Sequence, residues 1–197
     1  MVTSVRVIFE GWLRRENGVL KEAHSTSTLV LTEGHHILVD TSSRQQRAPL
    51  LQGLEEAGLR PEDIDILVNT HLHADHIGNN DLFASAVKIA RSEECPDASF
   101  ISITEDAEIL PGISLMHTPG HSRGSMSVVV ETADRRYVIA GDAVPTRDNL
   151  EKWVPPMIHY DRNVAVDSMR RIRDIADVII PGHGDAFEID LPPGRER

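Results

Sequence analysis

Residues Ile64–Asn80 read IDILVNTHLHADHIGNN. A short apolar run, with Leu67 and Val68 at its end, breaks off into His71, His73, Asp75 and His76. Three of the chain's ten histidines and an aspartate thus fall within six residues. The run reads as a buried strand, so these side chains sit at a strand end. Crowding titratable groups there is costly unless something pairs them.

The same event recurs three times. ISLMHTPGH leads to His117 and His121, YVIAGD ends in Asp142, and DVIIPGHGD ends in His183. Strand ends converge along one edge of a sheet, where rigid scaffolds present catalytic groups. Imidazole and carboxylate are the donors expected for zinc, and also for iron or manganese. Pro119, Gly120, Gly182 and Gly184 allow the sharp turns that point each histidine inward. Setting His117 aside, seven such side chains exceed what one tetrahedral ion takes. They suit two ions that share a carboxylate and a water.

The rest of the chain is consistent with an ordinary globular enzyme. Its 197 residues, 40% hydrophobic, suit a single domain spanning 1–197 with a core that needs no disulfide. Cys95 is the only cysteine and lies in a polar loop outside every ligand motif, where it reads as a structural or surface thiol. Twenty basic against 31 acidic residues give a net charge of −11, which disfavours a nucleic-acid partner. No apolar run is long enough to span a membrane, and MVTSVRVIFEGWL reads as a first strand instead of a signal peptide. A cytoplasmic protein acting on a small molecule is the expectation, with a homodimer possible.

Hydrophobic patterning predicts strand, strand, strand, helix, strand in the N-terminal half. SVRVIFEG, STLVLTEG and HHILVD are the strands, with a hairpin turn around Gly34 in which His35 and His36 are expected to sit, solvated. APLLQGLEEAG is the helix, with Leu50, Leu51, Leu54 and Ala57 as its apolar face. The second half predicts strands at GISLMHT, MSVVVET and YVIAGD, then a helix at NVAVDSMRRIRDIA, then a last strand at DVII. Ala165, Met169, Ile172 and Ala176 line one face of that helix. Two strand-rich halves with helices suggest two packed sheets covered by helices.

HLHADH matches the HxHxDH signature of the metallo-β-lactamase fold superfamily, and HTPGHS, GDA and PGHGD match its other motifs in order. The chain resembles that superfamily over nearly its whole length. The resemblance implies an αββα four-layer sandwich of two mixed β-sheets flanked by helices. It also implies two divalent ions, zinc first, with the site at the sheet edge. His71, His73 and His121 would hold one ion, Asp75, His76 and His183 the other, and Asp142 both. Asp40 corresponds to the family's buried supporting aspartate, although DTSS stands here where the family has a glycine. His117 would support the site without binding a metal. Two cations lower the pKa of a shared water so that it attacks as hydroxide, and Asp75 would orient it and pass on a proton.

The segment VPTRDNLEKWVPPMIHYD follows Asp142 and is expected to overhang the site. Trp153 and Met157 would form an apolar wall, His159 or Tyr160 would donate to substrate, and Arg123 would meet an anion. Packing on the body is the competing reading of this segment. Asn79 and Asn80 are expected to cap a short helix at DLFAS. After PGHGD only AFEIDLPPGRER follows, unlike the helical extension of glyoxalase II. The expectation is a small hydrolase of an ester, thioester, lactone or phosphodiester. Its rivals are a mononuclear iron dioxygenase of the persulfide dioxygenase type, using His71, His121 and Asp142, and a non-catalytic metal-binding protein.

Overall fold

A computed structural model describes residues 3–189. The N-terminal half contains β1 (Ser4–Phe9), β2 (Trp12–Glu16), β3 (Val19–His24), β4 (Ser27–Thr32), β5 (His35–Val39), α1 (Arg47–Glu56), β6 (Ile66–Val68), the one-turn α2 (Ala74–Ile77), β7 (Val87–Arg91) and β8 (Phe100–Ile103). The C-terminal half contains β9 (Ala107–Leu110), β10 (Ile113–His117), β11 (Met126–Glu131), β12 (Arg136–Gly141), α3 (Arg147–Glu151), α4 (Arg162–Ile175), β13 (Val178–Pro181) and β14 (Phe187–Glu188). Each half forms one six-stranded sheet, ordered β1-β4-β5-β6-β7-β8 and β14-β13-β12-β11-β10-β9. Both are mixed: β5 through β8 run parallel in the first, and β12 and β13 in the second.

The strands carry apolar residues on both faces because both faces are covered. In β5, Ile37 and Val39 point to the second sheet while Leu38 points to α1. In β11, Val128 and Val130 meet the first sheet while Val129 faces α4. The core between the sheets therefore joins Val30, Val68 and Ile89 to Ile113, Leu115 and Ile139. Outside it, Leu50 and Leu54 of α1 pack on Leu29 and Leu67, and Met169 and Ile172 of α4 pack on Val138 and Ile179. The layers run α, β, β, α, as the motifs implied.

The reading of α4 holds residue by residue, since Ala165, Met169, Ile172 and Ala176 are all buried. That of α1 holds for Leu50 and Leu54, while Leu51 and Ala57 are only half-buried. Five strands, not three, precede α1. The two unforeseen ones, β2 and β3, form a separate two-stranded hairpin that turns at Asn17–Gly18. Both turn residues have positive φ, 51° and 77°, the backbone that an Asn-Gly pair supplies to a tight hairpin. The short β7, β8, β9 and β14 were also unforeseen, lacking enough alternation to stand out. His35 and His36 are not a solvated turn: they open β5, the turn is Glu33–Gly34, and His36 Nδ1 lies 2.7 Å from the Asp63 carbonyl. The first two residues of the predicted first strand and residues 190–197 of the predicted tail lie outside the described residues.

Gly53 marks where α1 presses hardest on the sheet. A Cβ there would stand 2.0 Å from the Ile8 carbonyl oxygen of β1. Alanine favours a helix over glycine by about 1 kcal/mol, but relieving this overlap requires shifting backbone, a cost of roughly 1–3 kcal/mol. Gly53→Ala is therefore expected to lower the urea midpoint; an unchanged or higher midpoint would contradict this packing.

Candidate metal centre

The four strand ends identified in the sequence meet at one edge of the two sheets. The nitrogens of His71, His73 and His121 lie within 4.8 Å of one another, as do the donor atoms of Asp75, His76 and His183. His73 Nδ1 and His121 Nε2 are 2.9 Å apart. Asp142 stands between the two groups. Its Oδ2 lies 3.6 Å from His121 Nε2, and its Oδ1 lies 3.5 Å from His76 Nε2 and 3.2 Å from His183 Nε2. Asp75 Oδ2 is 3.9 Å from His76 Nε2 and 3.7 Å from His183 Nε2.

The far side of three of the rings is held. His121 Nδ1 pairs with the Ile158 carbonyl and His183 Nδ1 with the His24 carbonyl, both at 2.8 Å. His76 Nδ1 lies 2.7 Å from Asp40 Oδ2. Asp40 in turn accepts from the Thr70 amide at 2.8 Å and the Thr70 hydroxyl at 2.7 Å. With Nδ1 paired outward, Nε2 is the ring nitrogen turned into the site, where a cation would displace any proton it carries. Three atoms there, His71 Nε2, His76 Nε2 and Asp142 Oδ1, are buried without a hydrogen-bond partner. Each unmet group costs about 1–3 kcal/mol, and cations held at the two groups would partner all three. The donor set fits a divalent ion of borderline softness.

Electrostatics separates these groups. Burial holds His71 well below the usual imidazole range, and neighbouring His76 adds to the effect. Burial also lowers His121. Burial opposes charge on His76 too, but Asp40 and Asp142 outweigh it and raise that imidazole well above its ordinary value. Burial alone would raise Asp142, yet His183 and His76 hold its carboxyl well below the carboxylate range.

The DTSS turn that carries Asp40 forms without the family's glycine. Asp40 and Ser42 both adopt positive φ, 58° and 55°, which costs L-residues of order 1–2 kcal/mol each. The surroundings over-determine the turn. Asp40 donates its amide to the Val68 carbonyl, Thr41 to the His76 carbonyl, and Gly78 to the Ser42 carbonyl, all at 2.8–2.9 Å. Asn79 does not cap a helix: its side-chain amide donates to the Thr41 and Ser43 carbonyls, at 2.8 Å each. Asn80 does likewise with Asn69, at 2.7 Å, and DLFAS opens with only a 3-10 turn.

Residues 20–94 and 96–183 match the sequence profile of the metallo-beta-lactamase superfamily. The chain belongs to that superfamily. Among superfamily relatives, a protein of Methanocaldococcus jannaschii described as a probable metallo-hydrolase is 39% identical over 181 residues, covering 91% of this chain and 86% of that one. Metallo-beta-lactamase domain-containing protein 1 of Xenopus laevis is 33% identical over 196 residues, covering 94% and 82%. An N-acyl homoserine lactone hydrolase, solved with the product N-hexanoyl-L-homoserine at its catalytic metal centre, superposes with a TM-score of 0.73 at 23% identity, covering 92% of each chain. The superfamily assignment, the layered fold and a divalent-metal-type donor cluster agree. No helix among the described residues is long and apolar enough to cross a membrane.

A cavity of about 90 Å³ opens above the cluster. Its floor is His73, Asp75, His121, Asp142 and His183. One wall is the segment after Asp142, through Pro145, Asn149 and Pro156–Ile158, so Met157 lies where the sequence placed it. Trp153 does not. At φ 52° it turns away, packs beside the α4 layer and stacks under the Arg173 guanidinium, 4.9 Å from its ring. Pro156 and Ile158 take its place. Tyr160 and Arg123 also miss the cavity: they stack on each other at 4.9 Å, and the Tyr160 amide donates to the Gly120 carbonyl. His159 Nδ1 lies 2.5 Å from the Pro156 carbonyl and does not line the cavity. His117 Nε2 pairs with the Arg123 carbonyl at 2.9 Å, so it ties the His121 loop and touches no ligand. Cys95 is exposed.

Two elements escaped the sequence reading. The opposite wall comes from the β2–β3 hairpin, through Leu13, Arg15, Leu20 and Ala23. The other is Glu94. Its Oε2 accepts from the Leu72 amide at 3.0 Å, between His71 and His73. Its Oε1 accepts from the Ser122 hydroxyl at 2.6 Å and the Gly124 amide at 2.9 Å, just beyond His121. One carboxylate thus fastens both loops of the His71–His73–His121 group. The signal was faint: VKIA, a run broken by Lys88, also ends in charged residues, RSEE. Glu94→Gln keeps the shape but not the double acceptor. It is expected to weaken metal binding at that group by about 10- to 100-fold in chelator competition; wild-type affinity would remove Glu94 from the site's support.

Proposed function

We propose that the protein is a binuclear metal-dependent hydrolase of small ester, thioester, lactone or phosphodiester substrates. The observation that carries this reading is Asp142, with one carboxylate oxygen facing each three-residue group. His71, His73 and His121 would hold one ion, Asp75, His76 and His183 the second, and Asp142 would contribute to both. Zinc is the first choice for such nitrogen and oxygen donors. Ions bound there supply Lewis acidity, which lowers the pKa of water and polarises an acyl or phosphoryl oxygen.

The chain's own residues do the rest. Asp40, Ile158 and His24 pair with Nδ1 of His76, His121 and His183, which orients the rings and turns Nε2 of each toward the site. Asp75 is the half-buried carboxylate on the cavity floor. It can orient water through Oδ2 and relay the proton to the leaving group. The apolar walls limit the water that competes with substrate. A lactone is a natural member of the substrate class, since the structurally similar hydrolase carries an N-acyl homoserine product at its metal centre. The completeness of the Asp75–His76–His183 group favours hydrolysis over mononuclear iron dioxygenation, which needs only one ion.

Metal analysis of the purified protein should give close to two zinc per chain. His73→Ala and Asp142→Ala should each lose metal and fall below detectable turnover on a panel of esters, lactones, thioesters and phosphodiesters. One iron per chain with oxygen uptake on a persulfide would overturn the proposal, as would variants that keep full metal and activity.

A further inference from the structure

The β2–β3 hairpin brings two adjacent arginines to the site and treats them differently. Arg14 faces away from the cavity, where Glu16 and Glu22 neutralise it. Arg15 faces the cavity and forms no ion pair or hydrogen bond among the described residues. Pairing in the hairpin explains the placement. Leu13 lies across from Ala23 and Arg14 from Glu22, but a bulge then sets Arg15 across from Leu20. In an unbulged ladder, Lys21 would stand opposite Arg15 on the same face, and the two like charges would repel. The bulge turns Lys21 out and gives the Arg15 stem an apolar neighbour instead.

Among the described residues, Arg15 is the only lysine or arginine lining the cavity whose floor is His73, Asp75, His121, Asp142 and His183. A solvated arginine is ordinary on a surface. This one has no charged partner among the described residues of a chain of net charge −11, on a wall that faces the candidate metal centre. A guanidinium presents a planar fork of donors that matches a carboxylate in two parallel hydrogen bonds. We propose that Arg15 is a substrate-binding residue that selects substrates carrying a carboxylate, or a similarly compact anion, beside the bond to be cleaved. This rests on the hydrolase reading above. The small cavity and the apolar residues Leu13, Leu20 and Met157 suit a short carbon chain between the anion and the scissile group.

The test uses zinc-loaded full-length protein and a matched pair of esters, 4-nitrophenyl hydrogen glutarate (anionic) and 4-nitrophenyl methyl glutarate (neutral). Wild type should prefer the anionic ester. Arg15→Met should reduce the ratio of kcat/KM for anionic over neutral ester by roughly tenfold or more, chiefly through KM, and Arg15→Lys should restore part of it. Calorimetric titration with glutarate gives a readout independent of turnover, and Arg15→Met should weaken that binding by a similar factor. An unchanged ratio, or equal glutarate affinity in wild type and Arg15→Met, would overturn the proposal. If wild type cleaves neither ester, the hydrolase reading is what suffers, and glutarate affinity alone decides the role of Arg15.

Discussion

A single buried carboxylate, that of Asp142, organises the molecule's working edge. Its place between the halves of the histidine cluster goes with two close backbone approaches, that of Gly182 to Asp142 itself and that of Gly141 to Thr70. A Cβ on Gly182 would lie 2.1 Å from Asp142 Oδ1, and one on Gly141 would lie 2.5 Å from the Thr70 hydroxyl. Glycine is the only residue that leaves this space open. Thr70 then serves Asp40, Asp40 serves His76, and His76 closes back on Asp142. This chain of contacts links both sheets without any apolar packing. The burial of so many polar groups at one edge is offset by mutual hydrogen bonding and by the free lone pairs that a cation would meet.

The chemistry was far more legible in the sequence than the walls around it. His71, His73, Asp75, His76, His121, Asp142 and His183 each follow an apolar run, and the structure draws them together. That signal survives because a strand end fixes where the next side chain goes. The walls carry no such marker. Trp153 has a left-handed backbone and packs away from the cavity while Ile158 lines it, an arrangement that composition does not announce. Arg123 and Tyr160 looked available for a ligand because each is polar and near a motif, but they satisfy each other.

Layer order and helix faces were legible for a similar reason. Ala165, Met169, Ile172 and Ala176 repeat at helical spacing and are buried together. The β2–β3 hairpin went unread although Asn17–Gly18 is a recognised turn pair, because its strands bear charge on their exposed face and lack apolar alternation. Its amphipathic character belongs to a wall over a site, not to a core strand. Glu94 was hidden differently: its partners, Leu72, Ser122 and Gly124, are distant in sequence and reached only by the fold.

Neither three-residue group is contained in one sheet. His71 and His73 follow β6 in the first sheet, and His121 follows β10 in the second; Asp75 and His76 again follow β6, and His183 follows β13. Any cation held by either group therefore acts as a clamp between the two halves of the chain. Ligand free energy that is available only when both halves are in register adds directly to the stability of the native state. The same arrangement makes the site a gauge of alignment. A small slip of one sheet along the other would pull His121 and His183 away together, so loss of chemistry and loss of interlock would arrive as one event.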